Sequence, residues 1–326
     1  KRQIFNIRAK RSPPGLKAQH ITGVKAVASL VGAEVEGLEL GSQVLTFVPK
    51  ERRGGSFSFD VGTAGSISLV LQALLPAAAF APSPVELTVR GGTDVKWAPP
   101  IDYMKHVFAP IMAKMGYSVS IEVVRRGHYP RGGGIVKVRA NPVSTLSPLR
   151  LEKRGAITRI RGISHCVRLP SHVAKRQAYA AYRLLKEEGF GGDLHIDVES
   201  YPPNKDPHLG PGSGIVLWAE TDRGCVLGAD ALGERGKPAE QVGEEAAGKL
   251  LKELRGKATV DIHMADMLIP YMAIADGESV IRTRELTLHA FTNIKITEMI
   301  TGVKFEVQGT LGAPAIIRVK GISFTG

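Results

Sequence analysis

Cysteine is scarce in this 326-residue chain, which contains 2 cysteines, Cys166 and Cys225. They form no CxxC pair, so neither a secreted disulfide framework nor a thiolate metal cluster is indicated. Long apolar runs are also missing. The longest, around residues 67–81, is broken by Gln72 and Pro76 and is shorter than the roughly 20 apolar residues that span a bilayer. We therefore expect a soluble, cytoplasmic protein with no membrane partner.

The signatures of several common enzyme classes are missing as well. The chain contains no GxxxxGKS or GxxxxGKT loop, no HExxH and no GxSxG, which excludes ordinary P-loop nucleotide sites, zincin peptidases and serine hydrolases of the nucleophile-elbow type. Four histidines in the middle of the chain match no zinc-ligand spacing, so no role is assigned to them. They are His165, His172, His195 and His208.

Acidic residues are fewer than basic ones, with 31 Asp and Glu against 43 Lys and Arg and a net charge of +12. This excess attracts polyanions such as nucleic acids and nucleotides, although a charge that only keeps the protein in solution would look the same. Hydrophobic residues make up 43% and charged residues 23% of the chain, which excludes collagen and a disordered tail. At roughly 150 residues per domain, the length allows about two domains.

One pattern occurs three times: an apolar-striped helix, a glycine that ends it, and two short strands in hairpin order. The helices are predicted near residues 17–31, 101–115 and 290–301. The glycines Gly32, Gly116 and Gly302 suit a left-handed helix end. The predicted strand pairs, rich in β-branched residues, are 33–38 with 44–48, 118–124 with 135–138, and 304–307 with 315–319.

The second and third copies each extend further back through a strand, a helix and another strand. These lie near residues 57–61, 64–79 and 85–90 in the second copy, and 258–262, 265–275 and 279–282 in the third. The first copy shows only its later strand, near residues 3–7, so we expect a strand and a helix upstream of Lys1. The predicted fold class is α/β (α+β layered): three repeated units around a pseudo-threefold axis, each a four-stranded sheet with two helices.

Residues 151–255 break the repeat and are predicted to form a smaller inserted α/β domain. The large domain then comprises 1–150 and 256–326. Residues 201–214 are expected to form an exposed loop. Predicted elements of the insert are strands at 156–163, 194–199, 214–220 and 224–229, and helices at 171–188 and 239–254.

Two glycine-rich segments are candidates for phosphate contacts. Residues 210–214 contain a proline and precede no helix, so they are more typical of a turn. Residues 125–134 place arginines and glycines between two strands of the second copy. Glycine permits close backbone approach, and arginine presents forked donors to phosphate oxygens. A flexible, solvated hairpin loop explains this second segment equally well.

A basic cluster, Arg8 to Arg11, leads into the first predicted helix. A helix N-terminus attracts anions through its unpaired backbone N–H groups and its dipole, so Arg8 and Arg11 could grip a phosphate or a carboxylate. The alternative interpretation is a set of surface charges on a loop.

His289 falls in the first turn of the third repeat helix. The helix dipole disfavours a charged imidazolium there, and a neutral imidazole beside anion-binding N–H groups could attack a phosphate. A single histidine in an apolar stretch is more often a hydrogen-bonded core or capping residue. Residues 263–266 are placed at the corresponding strand-to-helix turn, where Asp266 could cap its helix.

Several of these segments resemble the RNA 3′-terminal phosphate cyclase family, over essentially the whole chain. The most specific is residues 126–135, which is similar to the family signature RGxxPxGGG followed by an aliphatic residue. The other similar segments are 6–11 with 14–16 and 19–20, 62–66 with Gln72, and His289 with Thr292 and Asn293.

The resemblance implies a large domain of three α/β repeats with a smaller inserted domain. It also implies ATP-dependent conversion of an RNA 3′-phosphate to a 2′,3′-cyclic phosphate. In this family a histidine attacks the α-phosphorus of ATP, and the resulting histidinyl-AMP passes its AMP to the RNA 3′-phosphate. The neighbouring 2′-hydroxyl then displaces AMP. The nucleophile matches His289.

The resemblance further implies ATP and RNA with a 3′-terminal phosphate as partners, and Mg²⁺ or Mn²⁺ at the triphosphate, with no metal ligands assigned. A family glutamate linked to metal and phosphate binding would precede Lys1, and His263 stands where family members often have tyrosine. The competing hypothesis is a non-catalytic cyclase-like factor of RNA processing or ribosome assembly, a class that lacks the histidine.

The resemblance also implies three groups of site residues. The implied ATP-binding residues are Gln72, His263, Met264, Ala265, Asp266 and Met267. The implied RNA or phosphate contacts are Arg8, Arg11 and Gln19, and the signature loop comprises Arg126, Gly127, Pro130, Gly132, Gly133 and Gly134.

Overall fold

The computed structural model describes residues 1–62 and 64–326 of the chain. Within these residues the protein has a mixed α/β fold with four separate sheets. None of its described helices is both long and apolar enough to cross a membrane.

The first unit consists of β1 (Arg2–Ile4), α1 (Ala18–Leu30), β2 (Glu34–Glu36) and β3 (Leu45–Val48). Its strands form an antiparallel sheet in the order β1-β3-β2. The three strands predicted within the chain for this unit, near residues 3–7, 33–38 and 44–48, are confirmed; the fourth strand expected upstream of Lys1 stays a prediction. The glycine after α1, Gly32, has a φ of 54°, which is the left-handed conformation expected at a helix end.

The second unit contains β4 (Gly55–Asp60), α2 (Ile67–Ala78) and β5 (Val85–Gly91). A helical segment and two more strands follow: α3 (Ile101–Tyr103), a π-helical stretch (Met104–Phe108), α4 (Ala109–Lys114), β6 (Ser118–Arg125) and β7 (Gly134–Asn141). The sheet order is β4-β5-β7-β6, with only β4 and β5 parallel. The predicted four-stranded sheet is confirmed for this unit.

The helix predicted over 101–115 is not a uniform α-helix. Its middle turn is π-helical, and the backbone N–H of Ala109 donates to the carbonyl of Met104, five residues back. Pro110 follows at once and has no N–H with which to continue the regular ladder. The local widening therefore has a cause in the sequence that helical periodicity alone did not reveal.

The inserted segment contains β8 (Ile157–Val167), α5 (His172–Glu187), β9 (Leu194–Ser200), β10 (Gly212–Thr221), β11 (Val226–Leu232) and α6 (Ala239–Arg255). Its sheet order is β11-β10-β8-β9. Strands β8 and β9 are parallel and the other pairs are antiparallel.

Apolar side chains of the insert form a second core under α5 and α6. The insert also contributes Trp218 and Leu227 to the main core. The domain boundaries at 151 and 255 stay a prediction. The exposed loop predicted over 201–214 is wrong in two respects: its last residues belong to β10, and His208 is buried.

The third unit contains α7 (Ile262–Ile274), β12 (Glu278–Thr283), α8 (Leu288–Thr301), β13 (Phe305–Gln308) and β14 (Ala315–Lys320). The described strands form an antiparallel sheet in the order β12-β14-β13. The first strand predicted for this unit, 258–262, is not a strand. The arrangement of the three units about a common axis stays a prediction.

The start of α7 explains this difference. The side chain of Asp261 accepts hydrogen bonds from the backbone N–H groups of His263 and Met264, both at 3.0 Å, and so caps a helix that begins at Ile262. The helix therefore starts three residues before the position predicted. Asp266, considered as a cap from the sequence, lies inside the helix.

Candidate active site at the starts of α7 and α8

His289 is exposed in the first turn of α8. The cap of this helix is Thr287, whose hydroxyl oxygen accepts a hydrogen bond from the backbone N–H of Ala290 at 3.1 Å. His289 is thus neither a core residue nor the cap. Its imidazole is presented to solvent beside backbone N–H groups at a helix N-terminus, a place that favours anions.

Asn293 joins the N-terminal halves of α7 and α8. Its side-chain amide donates to the backbone oxygen of Asp266 and to Oδ1 of the same residue, both at 3.0 Å. Because Asn293 lies four residues after His289, both are on one face of α8. The hydrogen bonds therefore place the helix that carries His289 against the helix that carries His263 and Asp266.

Not all the residues predicted to bind ATP are accessible at this junction. His263 is exposed and Asp266 is half-buried. The ring of His263 lies 6.5 Å from that of Tyr103, nearly perpendicular to it. In contrast, the side chains of Met264, Ala265 and Met267 are buried in the hydrophobic core. They pack α7 against the protein and are not accessible at the junction.

Gln19 connects α1 with the start of α2. Its Oε1 lies 3.5 Å from the backbone nitrogen of Ser66, and the hydroxyl of Ser66 caps α2 by accepting from the N–H of Leu69 at 3.2 Å. Two helix starts therefore meet at Gln19. Gln72, one turn further along α2, is half-buried.

The loop before α1 is organised by Arg8. Its Nη1 donates to the backbone oxygens of Pro13 at 3.1 Å and Gly15 at 2.7 Å. Burial, and then the positive charges of Arg8 and Lys17, lower the pKa of His20 in the first turn of α1. Part of the guanidinium of Arg8 is thus used to shape the loop, whereas Arg11 is exposed.

The signature segment 126–134 lies against the insert. Arg126 is buried, and its guanidinium donates to Glu199 of β9 through Nε at 2.9 Å and Nη2 at 2.6 Å. Its Nη1 lies 2.8 Å from Oδ2 of Asp102 and 3.5 Å from Oδ2 of Asp94. Neither interpretation made from the sequence, a phosphate grip or a solvated hairpin, describes this arginine.

The glycines of the segment are needed for close backbone packing. A Cβ on Gly127 would lie 2.3 Å from the backbone nitrogen of Gly134. Gly133 has a φ of 72°, and a Cβ there would lie 2.2 Å from Cδ1 of Leu209 in the insert. The glycines therefore allow the end of one strand to pack closely against the insert.

Comparison with known proteins gives the family. The RNA 3′-terminal phosphate cyclase profile matches residues 2–307. A relative of that name from Hyperthermus butylicus is 53% identical over 326 residues, which cover 99% of this chain and 90% of the relative. The relatives of the same name from Ignicoccus hospitalis and Methanopyrus kandleri are 51% identical over 321 residues and 52% over 318, covering 98% of this chain and 90% of each relative. The chain belongs to the RNA 3′-terminal phosphate cyclase family.

Within this cyclase-family chain, the structure brings His263, Asp266 and His289 to one junction. It places Gln19 at a second junction, between α1 and α2, and it puts the signature segment against the insert. The roles of these residues in substrate binding stay predictions. The resemblance to the family, which the sequence indicated through its motifs, is confirmed.

Some residues that build these sites were not singled out from the sequence. Asp261 caps α7, and the hydroxyl of Tyr103 donates to it at 2.8 Å. Glu199 neutralises Arg126 from a distant part of the chain. An Asp directly before an apolar helix is a recognisable capping signal, whereas nothing in the sequence around Glu199 indicates its partner.

Proposed function

We propose that the protein is an RNA 3′-phosphate cyclase that uses ATP to convert a 3′-terminal phosphate into a 2′,3′-cyclic phosphate. The observation that carries this proposal is the exposed imidazole of His289 at the start of α8 in a chain about half identical to proteins named for that reaction. We further infer a cytoplasmic location, because Cys166 and Cys225 are both free and buried, as is usual in a reducing compartment.

In the first step, a nitrogen of His289 attacks the α-phosphorus of ATP. A phosphorus–nitrogen bond forms, the bond from the α-phosphorus to the bridging oxygen breaks, and pyrophosphate leaves. The histidine is suited to this step by its position: it is reachable from solvent, and the N–H groups of the first turn of α8 favour an anion beside it.

In the second step, an oxygen of the RNA 3′-phosphate attacks the same phosphorus and His289 leaves. The 3′-phosphate now carries AMP, a much better leaving group than oxide. The adjacent 2′-hydroxyl then attacks the 3′-phosphorus and loses its proton, and AMP departs as the ring closes. The protein has to hold these groups in line, which is the main requirement for phosphoryl transfer.

Cationic and polar groups for this positioning are available on the first unit. Arg11 is exposed on the loop that Arg8 shapes, and Gln19 lies where the starts of α1 and α2 meet. We propose that Arg8, Arg11 and Gln19 contact the phosphates of RNA or ATP. His263, Asp266 and Gln72 are proposed to contact the nucleotide.

A divalent ion, Mg²⁺ or Mn²⁺, would neutralise charge on the triphosphate. Such ions prefer oxygen ligands, and Mg²⁺ usually keeps several waters. At the junction of α7 and α8, Asp266 is a carboxylate whose Oδ1 already accepts from Asn293. The residues there are compatible with an ion that takes most of its ligands from phosphate and water.

The proposal is tested in two reactions. In the first, the chain is incubated with ATP labelled at the α-phosphorus, and we expect an acid-labile protein–AMP adduct. In the second, it is incubated with an oligoribonucleotide that ends in a 3′-phosphate, with and without ATP, and we expect the terminal phosphate to become resistant to phosphatase only in the reaction that contains ATP. An oligoribonucleotide ending in a 3′-hydroxyl is the control and should not react. RNA binding without adduct or cyclic product would instead support a non-catalytic cyclase-like factor.

A further inference from the structure

Three side chains that the proposed reaction does not use meet inside the protein: Asp94, His128 and His165. Their exposed fractions are 3%, 7% and 1%. One potential ligand atom from each lies within 4.8 Å of the other two. Asp94 and His128 come from the second unit, whereas His165 lies on β8 of the insert. The three residues thus converge where the insert meets the large domain.

Four polar atoms of this cluster lack hydrogen-bond partners in the part of the chain that the structure describes. Both ring nitrogens of His165, Nε2 of His128 and Oδ1 of Asp94 have none among the residues that the structure describes. The closest approach of His165 to Asp94, 3.9 Å from Nε2 to Oδ2, is too long for a hydrogen bond. A buried polar atom without a partner is costly and rare in native proteins, so these atoms are candidates to bind a ligand.

The backbone around the cluster is built to make room for the two imidazoles. A Cβ on Gly212 would lie 2.0 Å from Cγ of His128, and one on Gly214 would lie 3.1 Å from Cε1 of His165. Between them, Ser213 accepts a hydrogen bond from Gln177 of α5 at 2.9 Å. Since side chains alternate along a strand, Ser213 packs onto the insert while the two glycines leave space for the histidine rings.

The carboxylate is held in place as well. The backbone N–H of Thr93 donates to the carbonyl of Gly127 at 2.8 Å, and the N–H of Gly127 donates back to the hydroxyl of Thr93 at 2.9 Å. That hydroxyl also lies 2.6 Å from Oδ2 of Asp94. These bonds hold the carboxylate of Asp94 in place, as an outer shell does for metal ligands, and leave its Oδ1 without a partner among the described residues.

The charges nearby favour a cation. Three carboxylates, those of Asp94, Asp102 and Glu199, surround the single guanidinium of Arg126.

We propose that Asp94, His128 and His165 bind a divalent transition-metal ion of the Zn²⁺ type, which links the insert to the large domain. Two imidazoles and one carboxylate are a ligand set that Zn²⁺ accepts, with water in the fourth position. Tetrahedral Zn²⁺ places its nitrogen and oxygen ligands about 3.3 Å apart. Small rotations of the side chains would therefore bring the ligand atoms together around the ion.

The test is a titration of Zn²⁺ into the full chain after chelator treatment and dialysis, followed by calorimetry and by the melting temperature. We expect one equivalent per chain and a rise in melting temperature. Co²⁺ offered in place of Zn²⁺ should give the strong visible absorption typical of tetrahedral coordination. His165→Ala and Asp94→Asn should each weaken Zn²⁺ binding by more than about 100-fold, because even outer-shell changes cost about 10–100-fold.

His195→Ala is the matched control, because His195 is an exposed histidine of the same inserted segment, paired with Asp197. It should bind Zn²⁺ as the unchanged chain does. Unchanged affinity in both His165→Ala and Asp94→Asn would overturn the proposal by showing that Zn²⁺ binds elsewhere. If those variants fail to fold, the unchanged chain decides, because absence of a one-equivalent site in it also overturns the proposal.

Discussion

Arg126 and Glu199 form a two-pronged ion pair, with donor–acceptor distances of 2.9 Å and 2.6 Å, between the signature segment and β9 of the insert. The exposed fraction is 3% for the side chain of Arg126 and 31% for that of Glu199. Parallel hydrogen bonds of this kind fix both distance and orientation. The most family-specific motif in the sequence therefore joins two parts of the chain.

Replacing Arg126 by Ala should destabilise the protein strongly, because it leaves Asp94 and Asp102 buried without their counter-charge. Removing one partner of a buried pair costs about 3–5 kcal/mol. The control is Arg139→Ala, which breaks an exposed pair with Glu86 and should cost only about 0–1 kcal/mol. Urea unfolding of both variants measures the difference, and equal losses would show that the Arg126 cluster adds nothing.

The same pair predicts a dependence of stability on pH. Burial alone would raise the pKa of Glu199, but the hydrogen bonds and charge of Arg126 outweigh it and lower the pKa to about 2. A carboxylate with a lowered folded-state pKa stabilises above its unfolded value and loses that contribution as pH falls through the folded value. The stability difference between the unchanged chain and Glu199→Gln should therefore shrink as the pH falls from the ordinary pKa of 4.5 towards 2. Denaturant unfolding at several pH values tests this, and a constant difference would contradict it.

Gly127→Ala should be one of the most damaging single-methyl changes in the chain. The added Cβ would meet the backbone of Gly134, which cannot rotate away as a side chain would. Overpacking typically costs about 1–3 kcal/mol and sometimes more. Gly192→Ala is the control, since a Cβ there meets no atom within 4 Å among the described residues. Thermal melts of the two variants should differ clearly, and similar melting temperatures would argue against the tight contact.

His289→Ala should abolish formation of the protein–AMP adduct without unfolding the protein, because the side chain is exposed. His172→Ala, at the exposed start of another helix, is the matched control and should label normally. Gel analysis after incubation with α-labelled ATP gives the answer. Persistent labelling of the His289→Ala variant would mean that another residue is the nucleophile.

Asn293→Ala should slow adenylation rather than prevent it. The change removes both hydrogen bonds to Asp266, so α7 and α8 are held less firmly, at a cost of about 1–3 kcal/mol if each bond contributes about 0.5–1.5 kcal/mol. Met299→Ala, exposed on the same helix, should change neither stability nor rate. Normal labelling kinetics in Asn293→Ala, at substrate concentrations well below saturation, would show that the link has no positioning role.

Local features of the fold followed from the sequence. Apolar periodicity and the closing glycines located α1, α5 and α8 to within a few residues, because helix ends need residues such as Gly32 and Gly302 that tolerate a left-handed backbone. The sequence misplaces the start of α7, because the capping residue Asp261 lies in an apolar segment that is also typical of a strand. Local patterns do not decide between a short extended segment and a capped helix start when both are apolar.

The sequence by itself determined the family, the repeating order of helices and hairpins, and the position of His289 at a helix start, since these depend on neighbouring residues. Only the tertiary structure decided which distant residues meet. Arg126 acquires Glu199 from 73 positions away along the chain, and His165 joins Asp94 and His128 although their spacing matches no metal motif. Such groupings depend on which strands and segments pack together in the folded protein. Burial then makes an unpaired charge or imidazole costly in free energy, whereas water solvates the same group in the unfolded chain.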